Sequence, residues 1–198
     1  MNFKIRTYHI TDLSSLYRIC LLTGYNGSDA TSYLKDPDLV GHLFAAPYAI
    51  YEPSLCFILT IGYQPCGYIL GTRDSSMFND TCEKKWFPEL RKRYSLPNEE
   101  HNTLEANFIR YLHCKQTTSK WNHDYPAHLH IDILPIAQKK GYGSKLIKVF
   151  LNQLNCLNVK GVHLVVSKKN QNAIGFYKNV GFHELNEMGE SIVFGQNL

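Results

Sequence analysis

The run DILPIAQKKGYGSKLI, residues 132–147, narrows the folds open to this chain more than any other stretch. An apolar segment stops at Pro135, a basic loop with two glycines one residue apart follows, and apolar residues then resume at helical spacing. A strand that enters a helix through glycines exposes the first N–H groups of that helix, which lack intrahelical partners and carry partial positive charge. Phosphate suits such a turn, and glycine clears the approach. Two familiar versions fail on spacing: a Walker loop needs G-x-x-x-x-G-K-[ST], and a dinucleotide turn needs a third glycine where this chain has Leu146. What remains is Gln138-Lys139-Lys140-Gly141-Tyr142-Gly143, of the form Q-x-x-G-x-G.

The rest of the chain sets the frame. Its 198 residues fit one domain, residues 1–198, with a helical insertion over about residues 74–125, and can bury a real core. FKIRTY alternates like an edge strand; TDLSSLYRICLLTG reads as a helix capped by Thr11 or Asp12 and stopped by Gly24. SLCFILTIG and CGYILGT, separated by YQP, predict an antiparallel hairpin. The insertion holds two helical pieces, around CEKKWFPELRKRY and NTLEANFIRYLHCK. AHLHIDIL is a strand, the glycine loop leads into an amphipathic helix, and GVHLVV is the next strand, so a right-handed crossover joins two parallel neighbours.

A formal charge of +4 with no long basic run argues against nucleic acid as a partner. No apolar window reaches a membrane span or a secretory h-region, so the expectation is a cytoplasmic protein, able to enter the nucleus, with no membrane partner. The six cysteines form no C-x-x-C pair, which predicts reduced, mostly buried thiols.

About thirty residues beyond the hexad comes NQNAIGFYKNVGF, with Asn170, Ala173, Tyr177, Gly181 and Phe182 on a helix and its stop. The pair of motifs, in this order on these elements, resembles the general N-acetyltransferase (GNAT) superfamily. TGYNGSDA, DPDLVGHLFAAPYAIYEPS, GYILGT, the tryptophan-containing insertion and YPAHLHIDILP resemble more closely the acetyltransferase-like domain of O-GlcNAcases and its stand-alone bacterial and fungal relatives. The resemblance implies an α/β (α+β) fold with a mixed, mostly antiparallel central sheet flanked by helices, and acetyl-CoA as cosubstrate without a metal. It also implies that Ile131, Ile133 and Leu134 offer backbone groups to the pantetheine arm. Gln138, Lys139, Lys140, Gly141, Tyr142, Gly143 and Ser144 would surround the pyrophosphate, with Asn170 and Tyr177 also at the cosubstrate. Tyr177 would give a proton to the departing thiolate. The expected reaction moves an acetyl group to a primary amine, on a small molecule or a protein, by direct attack in a ternary complex. Some relatives look inactive, so the alternative is a module that binds acyl-CoA or a partner protein.

The base is less constrained. His128, His130 and Asp132 alternate with apolar residues and share one face of their strand. Three readings stand side by side: a His-x-His zinc pair, internally bonded histidines, or His130 oriented by Asp132 or a carbonyl as proton acceptor. The site five residues before Asn170, where relatives often carry a base, is Val165, and the early position of the preceding strand is Ala127. Lys139, Lys140, Lys168 and Lys169 could draw in the ribose phosphate, and the resemblance implies that TGYNGSDA and AAPYAIYE cover the acceptor side, with Asp29 or Glu52 able to attract a cationic amine.

Overall fold

A computed structural model describes residues 2–115 and 119–198. Seven strands form one sheet in the order β1-β2-β3-β4-β5-β7-β6. They are β1 (Phe3–Thr7), β2 (Cys56–Ile61), β3 (Gln64–Thr72), β4 (Ala127–Ile133), β5 (Gly161–Ser167), β6 (His183–Met188) and β7 (Ser191–Asn197). Every neighbouring pair is antiparallel except β4 and β5. These two run parallel because a helix crosses between them, α7 (Tyr142–Cys156), whose length lets the chain return to the starting edge.

Helices cover both faces. On one lie α1 (Leu13–Thr23), α2 (Leu39–Phe44) and α3 (Ala46–Tyr51), with the insertion helices α4 (Ser75–Lys85), α5 (Phe87–Arg93) and α6 (Leu104–His113). They bury Leu16, Ile19, Tyr48 and Leu112 against Ile58, Tyr68 and Leu70 of the sheet. On the other face, α7 and α8 (Gln171–Asn179) bury Leu146, Ile147, Phe150 and Tyr177 against Leu59, Ile69, Leu129 and Leu164. Strand alternation produces this division: consecutive residues of β2 and β3 enter opposite cores, which makes both strands apolar throughout. Gly71 shows how tightly the layers meet, since a Cβ there would stand 2.4 Å from both the His128 carbonyl oxygen and the Phe150 ring.

Several expectations change in detail. The β2–β3 hairpin turns at Gly62 and Tyr63, with Gly62 at φ 58°, while Pro65 lies inside β3 beside a bulge between Leu59 and Thr60. Among its described residues the insertion contains three α-helices rather than two, because the run around Trp86 is broken: Pro88 lies in the first turn of α5, where a missing N–H costs nothing, and separates it from α4. Asp12 precedes α1 but makes no cap bond to it; the carboxylate instead takes two bonds from Arg6, at 2.6 and 2.7 Å. Cys20, Cys56, Cys66 and Cys82 are buried, and Cys114 and Cys156 are exposed. Among the described residues no helix is long and apolar enough to cross a membrane.

Candidate active site

The sheet opens between its parallel strands. β4 and β5 pair only through Ala127 with Val162 and His128 with His163, and beyond that point they separate. On its other edge β4 stays bonded to β3 through Ile133 opposite Gly67. The Leu134 N–H donates to the Cys66 carbonyl at 2.8 Å, and alternation then turns the backbone groups of Asp132 and His130 to the same side. The groups of Ile131 and Ile133 therefore face the opening. Leu134 does not offer the N–H expected of it, and the Ile133 carbonyl accepts from Gln138 Nε2 at 2.7 Å. Among the described residues, none partners the N–H and C=O of Ile131 or the N–H of Ile133 at the fork.

The glycine loop stands at the mouth of this fork. Lys139 and Gly141 both adopt the left-handed region, at φ 56° and 77°, and α7 starts with no side-chain cap. No described acceptor takes the six N–H groups of residues 139–144, so they form a concave run of donors at the positive end of a fifteen-residue helix. Open space surrounds the position where a Gly141 Cβ would stand. Gly143 answers to a different constraint: a Cβ there would come within 3.0 Å of the Phe176 ring, so this glycine lets α7 and α8 approach. Tyr142 stacks on Phe3 at 4.5 Å, and Ser144 is exposed. The Lys140 ammonium turns back to the Ile136 carbonyl at 2.6 Å, whereas Lys168 and Lys169 pair with Glu187 and Glu190 of the β6–β7 hairpin.

Across the fork, Asn170 caps α8 through the Ala173 N–H at 3.1 Å, with the loop residue Gly27 next to its side chain. Two turns along, the Tyr177 ring is buried against Phe176, Phe182 and Phe194. Its hydroxyl bonds to no described residue. Burial raises its pKa, with the Asp132 charge adding to the effect, so this phenol holds its proton more firmly than a free one near 10.

The polar face of β4 separates into residues of different character. The Ser75 hydroxyl donates to the Pro126 carbonyl at 2.6 Å, which leaves its oxygen to accept from His128 Nδ1 at 2.7 Å; His128 Nε2 then accepts from the Tyr48 hydroxyl, also at 2.7 Å. Both nitrogens of His128 are thus committed to protein partners. His163, missed in the sequence because no motif contains it, sits opposite His128 and bonds the Tyr125 carbonyl at 2.7 Å. Asp132 does not orient His130, since i and i+2 side chains stand too far apart along a strand; its carboxylate accepts instead from the Tyr68 hydroxyl at 2.6 Å. Burial raises the Asp132 pKa against the opposing pull of that bond. His130 bonds to no described residue, lies against Phe44 and Tyr48, and has its pKa pushed down by burial to about 4. At neutral pH it is an uncharged imidazole with an unshared lone pair.

Val165 is 55% exposed beside the opening, and Ala127 is fully buried. Each carboxylate suggested for the acceptor side has one oxygen engaged: Asp29 Oδ1 accepts from the Thr31 N–H and hydroxyl, and Glu52 Oε1 from the Thr72 hydroxyl at 2.8 Å.

A sheet forked between two parallel strands, with an uncapped helix at the fork, is the architecture of an acyl-coenzyme A transferase. Residues 27–182 match the Acetyltransferase (GNAT) family, and the chain belongs to it. It is similar to SsHAT, whose crystal structure superposes with a TM-score of 0.93 at 35% identity, covering 100% of this chain and 98% of that one. It is also 24% identical to the Protein O-GlcNAcase of Rattus norvegicus over 99% of its own length, and spans only 22% of that protein. A phosphinothricin acetyltransferase from Sinorhizobium meliloti, in complex with AcCoA, shares the fold at a TM-score of 0.60 and 14% identity, over 100% of this chain and 89% of the other.

Proposed function

We propose that the chain is an acetyl-CoA-dependent N-acetyltransferase acting on a primary amine. The observation that carries this reading is the coincidence, at one fork, of six unpaired amides, an open strand edge at Ile131 and the unpartnered hydroxyl of Tyr177. A diphosphate fits residues 139–144, and an amide-bearing arm fits beside Ile131, as one more strand would. That path leads from the glycine loop into the fork, toward Tyr177 and His130.

Acetyl-CoA supplies a thioester. The amine nitrogen attacks its carbonyl carbon, the C–S bond breaks, the nitrogen loses one proton, and the thiolate gains one. Neutral His130 suits the first proton, directly or through water. Tyr177 suits the second: its raised pKa keeps the phenol protonated until the C–S bond breaks, its O–H then donates to the sulfur, and the phenolate is re-protonated from solvent, which holds the proton taken up through His130. Direct transfer is favoured over an acyl-enzyme because Cys20, Cys56 and Cys66 are buried thiols whose pKa values are raised, the condition least suited to a nucleophile.

A second reading has one observation behind it. Val165 occupies the exposed position on β5 where a carboxylate would make a stronger base, and this favours a module that holds acyl-CoA without turning it over. Thermal stabilisation by acetyl-CoA, together with thiol release across a panel of amines, separates the two. A transferase releases CoA, and Tyr177→Phe slows that release about 100-fold or more while the coenzyme still binds. Binding with no release from any amine leaves the module; Tyr177→Phe turnover equal to the parent removes Tyr177 from the chemistry.

A further inference from the structure

The insertion brings to the acceptor side of the fork a residue that the chemistry above does not use. Tyr111 of α6 lies on Phe44 with ring centroids 5.4 Å apart. Phe108, one turn earlier, meets the same ring at 5.5 Å, and Phe44 lies 5.6 Å from the ring of His130. Three aromatic rings thus extend the surface of β4 outward from its free imidazole. They are not closed into the core: Phe44 and Phe108 are half-buried and Tyr111 is 41% exposed. The Tyr111 hydroxyl bonds to no described residue, and burial raises its pKa to about 12. Tyr48, which also flanks His130, feels that phenol electrostatically. Val165 presents a further exposed apolar side chain on the same face of the sheet.

Resting on the transferase reading, we propose that Phe44, Phe108 and Tyr111 form the acceptor wall of the cleft and select a primary amine carried on an unbranched alkyl stem. Ring faces attract an ammonium group and lie against methylenes, so they draw in such a stem while its charge persists. The inner end of the wall, where Phe44 meets His130, offers what a neutralised amine needs, a lone pair to take its proton. A hydroxylated acceptor gains little along the Phe44 and Phe108 rings, which offer no hydrogen bonds, and loses water to reach them. The exposed valine on β5 fits the same account, since an apolar stem between apolar walls is disfavoured by a carboxylate.

CoA release from acetyl-CoA, measured with n-hexylamine and with glucosamine as matched six-carbon acceptors, tests this. The expected kcat/KM favours n-hexylamine by about tenfold or more, the discrimination of an apolar pocket. Tyr111→Ala, at an exposed position, and the gentler Phe44→Leu each reduce that advantage severalfold, mainly through KM, with acetyl-CoA affinity unchanged. A preference for glucosamine, or a hexylamine preference that neither variant reduces, overturns the wall and leaves the transferase standing. Bound acetyl-CoA with no release to any amine overturns the transferase reading and the wall with it.

Discussion

Acidification should unfold this chain earlier than its surface charge suggests, because three histidines are held neutral around one point of the sheet. His128, His130 and His163 share a face, with His128 5.7 Å from His163 and 6.4 Å from His130 between ring centroids. All three have lowered pKa values, caused first by burial. A histidine depressed in the folded state takes up its proton in the unfolded chain first. Its contribution is therefore complete above the unfolded value of 6.5 and declines as the pH falls toward the folded value. For His130, with a folded value of about 4, the loss between pH 7 and pH 5 is roughly 2 kcal/mol. His128 and His163 add losses of the same sign. Asp132 acts oppositely, since its raised folded pKa makes the native state bind a proton first, and it offsets part of the loss. Asp12, whose pKa is lowered by Arg6, loses stability only as the pH falls through the ordinary carboxylate range. Urea titrations at pH 7, 6 and 5 measure the sum, and His130→Gln, which cannot titrate, should flatten the curve by its own share. An unfolding free energy that stays level from pH 7 to 5 would refute the reasoning.

Three substitutions probe other parts of the account. Gly71→Ala should cost about 3 kcal/mol, because the new Cβ meets a fixed carbonyl on one side and Phe150 on the other; chemical denaturation checks it, and a loss below about 1 kcal/mol would contradict so tight a contact. Gly141→Ala meets no neighbour but must hold φ 77°, so a backbone cost of about 1 kcal/mol should appear as weaker acetyl-CoA binding in calorimetry. Gly143→Ala should leave that affinity nearly intact and instead slow turnover, since the displaced Phe176 adjoins Tyr177.

Much of the fold is legible in the sequence because its strongest signals are local. The glycine loop between β4 and α7, the parallel return to β5 and the edge position of β1 all follow from spacing and alternation. The terminal hairpin leaves no such signal. β6, HELNEM, is polar and largely exposed, with no alternation to mark it, and β7 is held by a seven-residue ladder to β5 on one side and by β6 on the other. The α2–α3 pair is also hidden, since two six-residue helices broken at Ala45 and Pro47 carry too few turns for a period to emerge. At the site, alternation puts His128, His130 and Asp132 on one face but cannot distribute their partners. Those partners, Tyr48, Ser75 and Tyr68, come from elements 53 to 80 residues away. The acceptor-side rings are legible only in three dimensions for the same reason, since α2 and α6 meet through tertiary contact alone.

Amide hydrogen exchange with and without acetyl-CoA tests the central claim most directly, because that claim concerns individual N–H groups. Slowed exchange at residues 139–144 and at Ile131, with little change in the ladder between β2 and β3, is the result predicted. Unaltered exchange at those amides, with protection appearing elsewhere on the sheet, would contradict it.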